Sequence, residues 1–195
     1  MVRTFMLETP LKEEVIRVLR VGDVVYITGV IVTARDAAHK RIVSLLSKGE
    51  ALPIRICGLP IYHCGPLVVK TRCGWKVLAA GPTTSMRMEP FESEIIKRLK
   101  VRMIIGKGGM GRKTVEAMIR FGSVYCAFTG GAAVLAAERI VKVENVFWLD
   151  LGMPEALWVL KVEKFGPLIV AVDTTGNNLY ENIRIVAEER CKSKP

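Results

Sequence analysis

The sequence predicts an α/β fold in a single domain that spans residues 1–195, with a barrel-like sheet of short strands and packed helices. Half of the residues are hydrophobic, which indicates a folded globular chain. In the first half, short segments rich in β-branched residues are separated by glycine, as in a barrel or a sandwich. From Val101 onward strand and helix patterns alternate, which favours parallel strands joined by crossover helices.

Local patterns place the elements of the first half. They are a helix over residues 11–19, strands within 22–35, a helix over 39–48, and strands at 54–58, 60–65 and 76–81. Gly29 is expected to interrupt the first strand region, since glycine weakens a strand. Asp36 is expected to cap the second helix, and Gly49 is expected to end it.

The second half has longer helical patterns. Its predicted elements are a helix over 91–100, a strand at 101–106, a helix over 112–121, a strand at 123–130, helices over 131–141 and 154–165, and a strand at 167–173. Pro90 and Pro154 suit the first turn of a helix, and Gly122 is expected to close the helix before it. The unbroken apolar run of residues 167–173 is typical of a buried strand.

The charge of the chain indicates an anionic partner. The net charge is +10 and the isoelectric point is about 9.6, which suits a nucleic acid, a small acidic substrate or an acidic protein face. Seven cations and no Asp or Glu occupy the stretch from Lys97 to Lys113. A solvated helix face explains such a run equally well, so charge alone does not choose among these partners.

The lengths of the apolar segments indicate where in the cell the protein is expected. The longest runs, such as residues 167–172, are far shorter than the roughly 20 residues that a membrane-spanning helix needs. The first residues reach acidic side chains too soon for a secretory signal. We therefore expect a cytoplasmic protein with no membrane partner.

The cysteines and histidines give no clear site by themselves. Five cysteines occur without a CxxC pair, which argues against a disulfide scaffold and against a zinc finger. They are Cys57, Cys64, Cys73, Cys126 and Cys191. The first three could in principle ligate a cluster, but free cysteines are more often buried small hydrophobes. His39 and His63 are expected to be structural or capping groups, although His39 lies one helical turn from Arg35 and could orient it.

Two polar segments stand just after predicted strands, where sites are usually built. Arg35 offers a planar guanidinium fork to a carboxylate. Thr83, Thr84 and Arg87 follow the strand that ends at Gly81, so hydroxyl groups lie close to another guanidinium. Surface ion pairs and hydroxyl-capped turns are nevertheless the commoner uses of these residue types.

A third segment, IIGKGGMGRK, combines four glycines with Lys107. The glycines are Gly106, Gly108, Gly109 and Gly111. They allow a tight turn whose N–H groups point outward, and the helix that follows presents its positive end to the same space. Such a loop binds anions, but the pattern does not distinguish a phosphate from a carboxylate.

A KH-type RNA-binding domain uses a similar glycine loop. In that motif an aliphatic residue follows the loop closely, whereas here the aliphatic residue appears only at Val115. Aromatic residues, on which RNA-binding proteins stack bases, make up 7% of the chain and are scattered. RNA binding is therefore an alternative that the residues disfavour.

Several segments, taken in order, resemble one enzyme family. They are GDVVYITGVIVTARDAAHKR, GPTTSMRMEPF, IIGKGGMG, GGAA, GMPEALWVL and DTTGNNLYE. Over nearly its whole length the chain is similar to the beta subunit of two-subunit iron–sulfur class I fumarases and of L(+)-tartrate dehydratases. The resemblance implies a swivelling β/β/α domain and a hydro-lyase that reversibly hydrates fumarate to (S)-malate. Tartrate dehydration is the leading alternative, because the same carboxylate-binding cations suit any four-carbon dicarboxylate.

The resemblance also implies which residues line the substrate pocket. They are Arg35, Thr83, Thr84, Arg87 and Lys107. Thr83 would transfer a proton, and the three cations would hold the carboxylates through charge-assisted hydrogen bonds. A threonine hydroxyl is a poor base, so we hypothesise that Lys107 and the neighbouring helix end assist Thr83.

The implied cofactor is a [4Fe-4S] cluster, which family members bind through three cysteines of a separate alpha subunit. This chain would then hold no metal itself and would be inactive without that partner. An α₂β₂ assembly with a small dicarboxylate substrate, and with no nucleic acid or membrane partner, is the expected state.

Overall fold

A computed structural model describes residues 2–72 and 74–192. The strands are β1 (Thr4–Glu8), β2 (Val24–Thr33), β3 (Pro60–Tyr62), β4 (Leu67–Thr71), β5 (Gly74–Ala79), β6 (Met103–Gly106), β7 (Val124–Ala127), β8 (Ile140–Phe147) and β9 (Leu157–Val172). The α-helices are α1 (Glu13–Val18), α2 (Asp36–Lys48), α3 (Glu89–Leu99), α4 (Arg112–Phe121), α5 (Ala133–Glu138) and α6 (Leu179–Lys192). Short 3-10 turns occupy Ser85–Met88 and Leu149–Leu151.

Five of the strands close into a barrel. Neighbours follow the order β2, β3, β6, β7 and β9, and β9 pairs back onto β2. The first four of these strands are parallel, whereas β9 runs antiparallel to both of its barrel neighbours. β1 and β8 extend the sheet beyond the barrel, and β4 and β5 form a separate hairpin. The predicted α/β fold with a short-strand, barrel-like sheet and packed helices is confirmed.

Alternate residues of the barrel strands face two different cores, as the pleat of a strand requires. In β6, Met103 and Ile105 belong to the core inside the barrel. Ile104 belongs to a second core on the outer face, which also contains Ile42 of α2 and Ile96 of α3. Because both faces of the short strands β6 and β7 are covered, their sequences, MIIG and VYCA, contain no charged residue.

The predicted helix ends are largely correct. Gly49 and Gly122 follow α2 and α4 with φ of 72° and 69°, in the left-handed region that glycine favours. Pro90 lies in the first turn of α3, where its missing N–H costs nothing. None of the helices in the described part of the chain combines the length and the apolar character needed to cross a bilayer.

Three predictions of secondary structure are wrong. Residues 54–58 form no strand, and residues 154–165 form no helix, because Leu157 begins the 16-residue strand β9. Pairing of β9 with β2, β7 and β8 overrides the local preference of that segment. Gly29 does not interrupt β2 either. A Cβ there would lie 2.3 Å from Oγ1 of Thr9, so the glycine permits a close approach of the chain.

The parallel arrangement predicted from Val101 onward holds only in part. β6 and β7 are parallel and are joined by α4, as expected. The predicted helix over 131–141 ends at Glu138, and the chain continues directly into β8. β8 and β9 are antiparallel, and β9 closes the barrel by pairing antiparallel with β7 and β2 rather than through a further crossover.

Candidate active site

The carboxyl ends of three parallel strands meet at one edge of the barrel. Thr33 of β2 pairs with Tyr62 of β3, and Tyr62 pairs with Ile105 of β6. The residues that come just after these strand ends are Arg35, His63 and Lys107. Ligands commonly bind at the carboxyl edge of parallel strands, because the following loops converge there.

The turn that contains Thr83 and Thr84, here called the threonine turn, is held between two of these strand ends by backbone hydrogen bonds. The N–H of Thr83 donates to the carbonyl of His63 at 2.7 Å, and the N–H of Lys107 donates to the carbonyl of Thr83 at 3.4 Å. The N–H of Ser85 donates back to the carbonyl of Lys107 at 2.9 Å. Thr84 and Lys107 therefore form a parallel bridge, and the structure brings three of the predicted residues side by side.

Ser85, the third hydroxyl residue of this turn, packs the turn against the end of β6. Its side chain is fully buried, and its Oγ accepts a hydrogen bond from the hydroxyl of Tyr125 at 3.0 Å. A Cβ on Gly106 would lie 1.9 Å from that Oγ, so only glycine fits at the end of β6. The first glycine of the loop is thus required by close packing of the two segments.

The glycine loop after β6 is fixed on both sides. Gly108 and Gly109 have φ of 81° and 78°, which side chains rarely adopt. A Cβ on Gly109 would lie 2.9 Å from the ring of Tyr180, at the start of α6. Lys107 itself is exposed, and its Cδ would lie 3.9 Å from a Cβ on Gly130, in the loop after β7. The Lys107 side chain therefore reaches the loop after β7.

The positive end of α4 is not open to a ligand, which corrects the prediction made from the sequence. Oε2 of Glu89 accepts hydrogen bonds from the N–H of Gly111 at 2.7 Å and from Oγ1 of Thr114 at 2.6 Å. Oε1 of the same carboxylate lies 3.2 Å from the N–H of Thr114. The helix already has its anion, so it supplies no free charge to Thr83 or to a substrate.

Arg35 lies between β2 and α2 and is paired with a carboxylate of the same chain. Its Nε lies 3.1 Å from Oε1 of Glu155, and Oε2 of Glu155 accepts the N–H of Ala37 at 2.8 Å. Glu155 therefore caps α2 and holds Arg35 at the same time. A Cβ on Gly65 would lie 2.7 Å from Nη1 of Arg35. The Arg35 side chain is 25% exposed, so the guanidinium is neither sealed in a core nor free in solution.

Arg87, in the turn after Thr84, is paired with Asp36. Its Nε donates to Oδ1 of Asp36 at 3.0 Å, and its Nη2 contacts Oδ2. This hydrogen bonding holds the pKa of the Asp36 carboxyl below its usual range. The predicted cap is wrong, because Arg35 occupies the N-cap position and Asp36 is the first residue of α2.

A buried polar network lies behind these residues. Nε2 of His39 and Nε2 of His63 lie 2.9 Å and 3.1 Å from the same oxygen, Oε2 of Glu92. All three side chains are completely buried. Nδ1 of His39 lies 2.8 Å from the carbonyl oxygen of Arg35, which agrees with the suggestion that His39 orients that residue. Glu92, on α3, carried no signal in the sequence.

Comparison with known proteins identifies the family. The family described as "Fumarase C-terminus" matches residues 1–183. The chain belongs to the fumarase C-terminus family. It is 47% identical over 186 residues to the L(+)-tartrate dehydratase subunit beta of Escherichia coli K12, which covers 95% of this chain and 91% of that protein. The predicted resemblance to the beta subunits of this family is confirmed.

Two other relatives differ in length. A putative L(+)-tartrate dehydratase subunit beta of Methanocaldococcus jannaschii is 46% identical over 169 residues, which is 86% of this chain and 87% of that protein. A putative fumarate hydratase class I of Geobacillus stearothermophilus is 46% identical over 182 residues, 93% of this chain but 34% of that protein. The family domain thus occurs both as a whole subunit-sized chain and as about a third of a longer one.

In this member of the fumarase C-terminus family, the predicted site residues form a connected group. Backbone hydrogen bonds join Thr83, Thr84 and Lys107, and Arg87 follows in the same turn. Arg87 is paired with Asp36, the neighbour of Arg35 in the sequence. Their roles in substrate binding and proton transfer stay predictions. The sequence did not indicate the roles of Glu155, Glu89 and Glu92, because each carboxylate contacts residues that are far away in the sequence.

The cysteines of this family member do not form a cluster site in the described part of the chain. Cys64 and Cys126 are buried, as expected of small hydrophobes, and burial raises the pKa of both thiols. Cys57 and Cys191 are exposed, which corrects that expectation, and Cys73 lies outside the described residues. The metal-ligand grouping found among the described residues is His39, His63 and Glu92, which contains no thiolate. These residues do not fit an iron–sulfur cluster.

Proposed function

We propose that this chain is the beta subunit of an iron–sulfur hydro-lyase that reversibly hydrates fumarate to (S)-malate. The observation that carries the proposal is the backbone pairing of the Thr83–Thr84 turn with Lys107 at the carboxyl ends of parallel strands. A hydroxyl and a cation are thereby held at one exposed edge, close to the turn that carries Arg87. Family membership supports the same reaction class.

The charges suit a small doubly charged acid. Arg35, Arg87 and Lys107 are three cations, and hydrogen bonds between ionised partners are about twice as strong as neutral ones. Both arginines are paired with carboxylates of the chain, Glu155 and Asp36, through only part of each guanidinium. A substrate carboxylate would share or displace these partners, because a guanidinium has five donors in a planar fork.

Thr83 is proposed to transfer the proton at the carbon next to the departing hydroxyl. A threonine hydroxyl is a poor base, so a nearby positive charge must assist it. Glu89 occupies the end of α4, so Lys107 is the proposed assisting charge. Replacing Thr83 with Val keeps the shape and removes the hydroxyl, whereas Thr83→Ser keeps both the hydroxyl and the backbone bonds. We expect the first variant to lose kcat by about a hundredfold or more, and the second to keep most of it.

An alpha subunit is the proposed partner. Relatives that are named subunit beta support a two-subunit enzyme. The proposed [4Fe-4S] cluster would be held by that partner, with two copies of each subunit in the enzyme. The chain alone is then expected to show no turnover.

Tartrate is the second candidate substrate. The relatives whose length is closely matched are named as tartrate dehydratase subunits, whereas the relative named fumarate hydratase is matched over 34% of its length. The identities of 47% and 46% do not separate the two activities. An RNA-binding function is not proposed, because Glu89 fills the helix end that a phosphate would use.

The test is co-expression with a candidate alpha subunit, anaerobic cluster reconstitution, and assays on fumarate, malate and tartrate. Arg87→Ala should abolish turnover while the subunits still assemble. Arg98→Ala is the matched control, because Arg98 is similarly exposed (48% against 43%) and also pairs with a carboxylate, that of Glu94. Loss of assembly in Arg87→Ala alone would make that arginine structural. No turnover of any of the three acids by the reconstituted wild type would overturn the proposal.

A further inference from the structure

Glu92, His39 and His63 bring together three elements that carry the candidate site. His39 lies on α2, one turn after Arg35, and His63 follows β3. Glu92 lies on α3, which begins just after Arg87. The two histidine rings meet edge to face with centroids 5.0 Å apart, and both bind the same carboxylate oxygen.

The network reaches the site through the backbone. The carbonyl of Arg35 accepts hydrogen bonds from both the N–H of His39 at 2.9 Å and Nδ1 of its ring at 2.8 Å. The carbonyl of His63 accepts the N–H of Thr83 at 2.7 Å, and the N–H of His63 donates to Ile105 at 2.8 Å. One residue of the network therefore fixes the peptide of Arg35, and another fixes that of Thr83.

The hydrogen-bond partners assign the protons. Nδ1 of His39 faces a carbonyl oxygen, which only accepts, and Nε2 faces the Glu92 carboxylate, so His39 carries both protons and a positive charge. Burial opposes that charge, but the Glu92 carboxylate outweighs it and raises the pKa of His39. Burial lowers the pKa of His63, which stays neutral and donates through Nε2. Burial opposes ionisation of Glu92 as well, yet the two histidines hold its pKa at about 2.

Such a network stabilises a core less than apolar side chains would. A buried ion pair adds little net stability, since well-packed apolar residues of the same volume often stabilise a protein equally well or better. Nδ1 of His63 and Oε1 of Glu92 are buried and have no hydrogen-bond partner among the described residues, which lowers the stability further. Unlike an apolar core, the network supplies directional hydrogen bonds, which fix the orientation of neighbouring groups.

We propose that Glu92, His39 and His63 are positioning residues, which hold Arg35 and Thr83 at the separation that the dicarboxylate requires. The proposal rests on the proposed function, in which Arg35 binds a carboxylate and Thr83 moves a proton. The network touches no substrate and acts only through the two backbone contacts. Moving either group by about 1 Å is enough to cost two orders of magnitude in rate.

The same side chains could be regarded as a metal site, because their ligand atoms lie within 4.8 Å of one another. The hydrogen-bond pattern favours protons instead. Both Nε2 atoms are directed at one oxygen, and His39 already needs both of its N–H groups for acceptors. Among residues 2–72 and 74–192, the group contains no fourth ligand.

The main test is Glu92→Gln in the reconstituted two-subunit enzyme. Gln keeps the volume and removes the charge. We expect assembly and cluster content to be retained, kcat to fall and KM to rise, with kcat/KM lower by about tenfold to a hundredfold. In an Arg35→Lys background the further loss from Glu92→Gln should be smaller than in the wild type, because only Thr83 is then left for the network to position. Leu19→Ala, in the buried core beside α1, is a control that lowers stability away from the site.

A measurement without substrate separates this proposal from the proposed function. Hydrogen exchange of the assembled complex should quicken in peptides that contain Arg35 and Thr83 in Glu92→Gln but not in Leu19→Ala. If Glu92→Gln does not assemble, His39→Gln is the variant to test in its place. A Gln side chain cannot make the two hydrogen bonds of the His39 ring, to Glu92 and to the Arg35 carbonyl, with the same geometry. Equal losses of kcat/KM in both Arg35 backgrounds, or unchanged exchange, would overturn the inference. Stoichiometric metal that is present in the wild type and lost in Glu92→Gln would overturn it too.

Discussion

The carboxylate of Asp36 lies against the guanidinium of Arg87, 51 positions further along the chain, with Nε donating to Oδ1 at 3.0 Å. Both side chains are more than 40% exposed, so water screens the pair and its contribution to stability is small. The pair nevertheless joins the start of α2 to the threonine turn. It also gives the arginine a carboxylate partner before any substrate arrives.

Asp36→Asn should therefore tighten dicarboxylate binding. The amide keeps an acceptor for Arg87 and removes the competing charge. Since an exposed ion pair is worth about 0.2–1 kcal/mol, KM in the assembled enzyme should fall by up to about fivefold, with little change in melting temperature. Steady-state kinetics at low ionic strength would check this. A rise in KM would mean that Asp36 orients Arg87 rather than competing for it.

Glu89→Ala should destabilise the protein through α4. The carboxylate satisfies the N–H groups of Gly111 and Thr114, and its loss leaves the helix start without a cap. We expect the free energy of unfolding to fall by about 1–2 kcal/mol in urea titrations. Glu116→Ala, which removes an exposed carboxylate from the same helix, should cost about 0.5 kcal/mol or less. Equal effects of the two variants would contradict the capping role.

Gly106→Ala should disturb the site by steric conflict with Ser85. The added Cβ would lie 1.9 Å from Oγ of Ser85, so we expect a loss of about 1–3 kcal/mol in unfolding free energy and a large loss of activity. Adding Ser85→Gly removes the conflicting oxygen and should restore much of the stability. Gly130→Ala is a control, since its Cβ would make only an ordinary contact of 3.9 Å. No rescue by the double variant would show that another contact makes Gly106 necessary.

Lys107→Met should slow proton exchange into malate. Met keeps the length of the side chain and removes the charge that is proposed to assist Thr83, while the backbone bonds to Thr83 and Ser85 remain. Mass spectrometry of malate in deuterated buffer should show exchange slowed by about a hundredfold. Lys113→Met, in the same basic stretch, should leave the rate unchanged. An unchanged rate in Lys107→Met would remove the assisting role.

The buried network predicts how stability depends on pH. The pKa of Glu92 is depressed to about 2 from its ordinary value of 4.5, so its contribution is complete above pH 4.5 and is lost as pH falls toward about 2. The pKa of His39 is raised above 6.5, so its contribution is complete below pH 6.5 and declines as pH rises through the raised value. Urea titrations between pH 6 and 9 should show this decline in the wild type and a smaller one in His39→Gln. Parallel curves would contradict the assigned charge.

Many of the helix ends and the buried strands could be predicted from the sequence. Gly49 and Gly122 end helices because left-handed backbone favours glycine, and that preference is local. The segment 154–165 could not be assigned correctly, because its residues suit a helix and only pairing with three other strands makes it β9. The strand predicted at 54–58 failed for the opposite reason, since no strand in the part of the chain that the structure describes pairs with it.

The sequence by itself determined the family, the basic character of the chain, and the identity of the threonines and cations at the candidate site. Those are properties of residue type and order, which short motifs retain. Only the tertiary structure decided that Glu89 closes the end of α4, that Asp36 and Glu155 hold the arginines, and that Glu92 lies between two histidines. The reason is that a carboxylate finds its partner through space, and these partners lie 22 to 120 positions away, the farthest being Arg35 and Glu155 (155 − 35 = 120).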